Sequence, residues 1–99
     1  MMAGKPELIN NEAQSQFEIH VDGQVAFIEY AIEDRKIYLT HTEVPESLQG
    51  NGIGSALVRL VLQYIKKNHL VLFPLCSFVA HYVDNHTEWH SILSEGYQM

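Results

Sequence analysis

Between residues 37 and 76 the spacing of apolar side chains changes twice, and this double change constrains the topology more than any other feature of the chain. "IYLTHTEV" (37–44) alternates as a half-buried strand does, and Pro45 closes it. From Ile53 the apolar residues recur at helical spacing. Ile53, Ala56, Leu57, Leu60, Val61 and Tyr64 form one stripe, widened by Val58, Leu62 and Ile65. Ser55, Arg59, Gln63, Lys66 and Lys67 fall on the opposite, wet face. Lys66 and Lys67 suit the negative end of the helix dipole, and Asn68 supplies a stop. "VLFPLC" (71–76) then reads as a short strand covered on both faces. A strand, a crossover helix and a second strand predict parallel pairing.

Upstream, "QFEIHV" (16–21) and "QVAFIEYAI" (24–32) carry strand patterns, and Asp22-Gly23 between them is a two-residue hairpin signal. Polar "EDRK" turns the chain into the third strand. "SFVAHYV" (77–83) predicts a short helix with Ser77 as its cap, and the segment after it gives no clear period. The expected fold is α+β: three antiparallel strands, a long helix, a parallel strand and a short helix. With 99 residues the chain is read as one domain, residues 14–99, behind a polar, flexible N-terminal leader over 1–13.

A net charge of −6 disfavours nucleic acid, whose phosphates require a Lys/Arg surface. No stretch approaches the roughly 18 apolar residues of a spanning helix, and no secretory signal is evident. Cys76 is the sole cysteine, so no intramolecular disulfide forms, and a cytoplasmic location is expected. His86 and His90 lie one helical turn apart, with His81 nearby, but nothing completes a ligand set, and no metal site is expected.

At the strand-to-helix corner, "PESLQGNGIGSAL" (45–57) places glycines at 50, 52 and 54. A helix start presents unpaired N–H groups and partial positive charge, and bare backbone lets an anion such as phosphate reach them. A tight turn requiring positive φ explains the same glycines. No Lys-Ser/Thr follows, which disfavours a nucleoside-triphosphate loop, and a dinucleotide fingerprint is absent. Gln49-Gly50-Asn51-Gly52-Ile53-Gly54 resembles the Gln/Arg-x-x-Gly-x-Gly/Ala signature of the GCN5-related N-acetyltransferase superfamily. "HTEVP", "PLCSFVAHYV" and "NHTEW" extend the likeness to a short, stand-alone branch of that superfamily, over roughly residues 16–90. The resemblance implies that acetyl-CoA is bound as a cosubstrate. Val44, Gln49, Gly50, Asn51, Gly52, Ile53, Gly54 and Ser55 would contact it, the loop amides taking its pyrophosphate. It also implies that the two parallel strands splay apart to admit the pantetheine arm. Pro74, inside the second of them, agrees with pairing lost there, as it would with an edge position.

Three residues are candidates for the chemistry. Cys76, at the end of the parallel strand, is either a buried small hydrophobe or a nucleophile or pocket residue at the thioester. His41 shares strand parity with Ile37 and Leu39; it packs on the core or, where the strands splay, serves as a general base within reach of Cys76. Tyr82 is a core aromatic or, by the resemblance, the acid that protonates the departing thiolate. Helices and a hairpin that build the acceptor pocket in longer relatives have no counterpart here. The acceptor, an amine on a small molecule or a protein, is therefore unspecified, and the expected state is a monomer or weak homodimer. A CoA-binding module without transfer, or an interaction protein whose glycines serve only the turn, are the alternatives.

Overall fold

The computed structural model describes residues 7–93. The strands are β1 (Ile9–Asn11), β2 (Gln16–Val21), β3 (Gln24–Glu33), β4 (Lys36–Glu43) and β5 (Val71–Pro74). The helices are α1 (Ile53–Lys67) and α2 (Ser77–Asp84), with short 3-10 segments at Glu46–Leu48 and Thr87–Ile92. One mixed sheet has the order β1-β2-β3-β4-β5; the first four strands are antiparallel and β5 lies parallel to β4. The expected α+β class and the strand–helix–strand unit are observed. The antiparallel part has four strands instead of three, because β1 forms within the segment read as a leader. The first six residues of that segment lie outside the described residues.

Turn chemistry explains the hairpins. Asp22 and Gly23 adopt φ of 52° and 76°, the pair of left-handed residues that a two-residue hairpin needs. Asp34 and Arg35 do the same at φ of 50° and 68°. Arginine tolerates this conformation because its Nη2 donates to the His69 carbonyl (3.0 Å), while its own carbonyl accepts from the Val71 amide (2.7 Å). These two bonds tie the β3–β4 turn to the entrance of β5.

All the helical elements join one core on one face of the sheet. Phe17, Ile19, Ala26, Ile28, Ile37 and Leu39 from the strands meet Leu57, Val58, Val61, Leu62 and Ile65 from α1, and Val79 and Val83 from α2. Phe17 packs on Tyr30 and Tyr64, with ring centroids 4.7 and 5.0 Å away. The Tyr30 hydroxyl donates to Asn10 Oδ1 (2.7 Å), and Asn10 Nδ2 donates to the Tyr64 hydroxyl (3.4 Å), so β1 is fastened to both β3 and α1. On the other face, Glu18 is 7% exposed yet fully engaged. It accepts from Asn11 (2.8 Å), Gln16 (2.7 Å) and His20 (2.9 Å).

α1 ends at Asn68, as expected. His69 follows in the left-handed region at φ 57°, its amide donating to Lys66 and that of Leu70 to Ile65, which closes the last carbonyls. A non-glycine residue is strained there. His69→Gly is expected to stabilise the domain by up to about 1 kcal/mol, measured by urea unfolding.

The hydrogen bonds from His20, then Gln16 and Asn11, hold the Glu18 carboxyl below its ordinary value of 4.5, against the opposing effect of burial. A depressed pKa means that its stabilisation is present above pH 4.5 and lost as pH falls through the folded value. Glu18→Gln should lower stability at neutral pH and flatten the acid limb below pH 4.5, read from melting temperatures across pH.

Candidate active site

Where β4 outruns β5, a gap opens. Registered pairing runs from Lys36–Val71 to Leu39–Pro74, and the Cys76 amide donates to the Leu39 carbonyl at 2.9 Å as a last link. β4 continues to Glu43, while the other chain turns away into α2. Pro74 is thus the final registered residue of β5, a position where a missing N–H interrupts no further pairing.

The glycine corner faces this gap. Gly50 and Gly52 take φ of 85° and 76°, and a Cβ on either would meet nothing within 4 Å. Both are therefore required by the turn and also leave empty space beside the backbone. Gly52 is the N-cap of α1, with no side-chain capping bond, and the first turn carries no acidic residue. The amides there remain available to an anion. Gly54 meets a different demand: a Cβ would stand 2.7 Å from Phe78 Cζ and 3.4 Å from Val44 Cγ2. It lets α2 approach α1 closely. Gln49 braces the loop by donating through Nε2 to the Val44 carbonyl at 3.0 Å.

These elements enclose a cleft of about 490 Å³ lined by Thr42, Val44, Gln49, Gly50, Gly52, Ile53, Gly54, Ser55 and Phe78. Seven of the eight loop residues singled out in the sequence are in that wall; Asn51 lies in the loop but is not part of it. A smaller cleft of about 280 Å³ shares Ser55 and Phe78 with the first and continues past His81, Tyr82, Asn85 and His86. Tyr82 stands in this second cleft, stacked on His86 at 3.9 Å. Burial, partly offset by Arg59 and reinforced by Glu88, raises its phenol above the usual value, so it stays protonated at neutral pH. His86 and His90 donate to the Tyr82 and Val83 carbonyls (2.7 and 3.0 Å). Among the described residues no group of three or more His, Cys, Asp or Glu could hold a metal ion.

Cys76 is half-buried and serves as the N-cap residue of α2, the place that the sequence reading gave to Ser77. Its thiol donates to Thr42 Oγ1 at 3.2 Å. Burial pushes the thiol pKa up, but the Thr42 hydroxyl and the amides of Val79, Phe78 and Thr42 outweigh it, and the net shift is downward.

His41 departs from both sequence readings. It does not pack on the core and lies on the strand face opposite Thr42, the residue that bonds Cys76; it is exposed and donates to Glu43 Oε1 at 2.8 Å. The cause is a β-bulge. Tyr30 pairs with Leu39 but Glu29 pairs with His41, so Thr40 is an extra residue in β4 and the inside-outside alternation reverses beyond it. Thr42 and Val44 take the inner positions. Sequence reasoning missed Thr42 and Phe78 as cleft residues; the bulge hid the first, and the short helix over 77–83 carried no sign of which side chain would face the glycine corner.

Comparison with known proteins agrees with this geometry. The profile of the GCN5-related N-acetyl-transferase family matches residues 16–92. Protein NATD1 of Mus musculus is 29% identical over 85 residues, spanning 81% of this chain and 76% of that protein. The NMR solution structure of a GCN5-like protein from Staphylococcus aureus superposes with a TM-score of 0.70 at 24% identity, covering 97% of this chain and 98% of that one. A splayed β4–β5 pair, a glycine corner at the start of the long helix and this match over most of the sequence lead to one conclusion: the chain belongs to the GCN5-related N-acetyltransferase family.

Proposed function

We propose that the domain transfers an acetyl group from acetyl-CoA to an amine. The observation that carries this reading is the uncapped start of α1, with Gly50 and Gly52 in left-handed conformations and open space at each, giving onto a cleft of about 490 Å³. The α1 amides would take the pyrophosphate. The β5-side edge of β4 at Thr42 and Glu43, with Val44 just after it, would run along the pantetheine arm, which delivers the thioester toward Cys76.

Acetyl transfer needs a nucleophile at the thioester carbon and a proton for the departing sulfur. Cys76, with its pKa lowered, supplies the first: its thiolate adds to the carbonyl carbon, the bond from that carbon to the CoA sulfur breaks, and the acetyl group moves to Cys76. Tyr82, protonated at neutral pH, is the proton source assigned to the departing sulfur. A neutral amine then displaces the Cys76 sulfur and regenerates the thiol. His41, bonded to Glu43 beyond the bulge, is given no part in these steps.

Calorimetric titration with acetyl-CoA, beside adenosine triphosphate, tests the cofactor. Selective micromolar binding is expected; no heat from either, with an unchanged melting temperature, would leave the glycines to the turn alone. Gly52→Asp keeps a residue type that tolerates positive φ and sets a carboxylate where the pyrophosphate would lie. It should lose acetyl-CoA binding at least about tenfold while the domain still melts cooperatively. Cys76→Ala should lower turnover by orders of magnitude; a rate near that of the wild type would make Cys76 part of the wall and the amine the direct attacker.

A further inference from the structure

Thr42 lines the main cleft and accepts a hydrogen bond from the thiol of the half-buried Cys76. We propose that Thr42 is the positioning residue for Cys76: its hydroxyl fixes the sulfur against the cleft, accepting from the thiol and donating to the thiolate. The consequence for catalysis rests on the acetyl-transfer reading; the geometry of the pair does not.

The arrangement suits that task for three reasons. A hydroxyl can both donate and accept, so it remains bonded whether or not the sulfur carries its proton, and it turns about one bond to do so. Threonine is β-branched and stiff at χ1, so its oxygen does not wander. Its Cα is pinned in the sheet opposite Ile28, on the inner side only because Thr40 bulges out of register. On the sulfur side, the Cys76 amide is held by the Leu39 carbonyl and the Cys76 carbonyl by the Ala80 amide, both at 2.9 Å. Two rigid backbones thus present one hydroxyl to one sulfur. When the thiol proton leaves to solvent, a charge-assisted bond replaces a weak one, and the thiolate is favoured.

Because Cys76 is the sole cysteine, alkylation reads this one site. The rate of reaction with iodoacetamide is followed against pH for the wild type and for Thr42→Val, Thr42→Ser and Thr42→Ala. Thr42→Val and Thr42→Ala should move the midpoint up by about one pH unit, with roughly tenfold less thiolate at pH 7. Thr42→Ser should restore the wild-type midpoint. An unmoved midpoint in whichever of the Val and Ala variants melts cooperatively would overturn the proposal. So would a serine variant that titrates like valine, since the hydroxyl would then be incidental. Acetyl-CoA calorimetry on the wild type separates the two ideas. Absent binding with a shifted midpoint removes acetyl transfer and leaves the pair intact; binding with an unshifted midpoint removes the role of Thr42 alone.

Discussion

The site depends on a mismatch in length. β4 runs to Glu43, whereas its parallel neighbour stops at Pro74, and no other strand takes up the exposed edge among the described residues. A strand edge normally invites unwanted pairing. Here the edge is walled by the glycine corner on one side and by α2 on the other, so it becomes the side of a cleft. The bulge at Thr40 acts on the same few residues. It turns Thr42 and Val44 inward and sends His41 and Glu43 to the outer face, so one extra residue decides which side chains the cleft contains.

The acidity of the chain sharpens the role of the α1 start. At a net charge of −6, the long-range field repels an anion, and any capacity to hold one must come from groups within a few ångströms. The first turn of α1 has no acidic residue, while Lys66 and Lys67 are placed at its far end, where they complement the dipole. Gly54 extends this economy. By admitting the Phe78 ring to a distance that no other residue would allow, it joins the two clefts along a shared aromatic wall.

Much of the architecture was legible because it is written in local periods. The alternation in Gln16–Val21 and Gln24–Glu33, the Asp22-Gly23 turn and the six buried positions of α1 all follow from side-chain spacing. β1 was not legible: Ile9 is its one apolar residue, and β1 exists because Asn10 is bonded by Tyr30 and Tyr64 from distant parts of the chain. β5 ends at Pro74 and not at Cys76, since the helix borrows Cys76 as its cap residue. The site itself was half visible. The glycines announce themselves by type, but counting parity along β4 fails at Thr40, where nothing in the residue itself betrays the bulge. One uncounted residue exchanges histidine for threonine beside the cysteine.

The order of the strands has a kinetic consequence. Every strand lies beside its neighbour in sequence, and the first four are joined by short turns, so the antiparallel part can assemble hairpin by hairpin with little loop-closure entropy. Only the β4–β5 pairing must wait for α1 to span the intervening chain. The gap between these two strands therefore sits at the strand pairing that closes the longest stretch of chain, and the cleft is bordered by the least local contacts of the sheet.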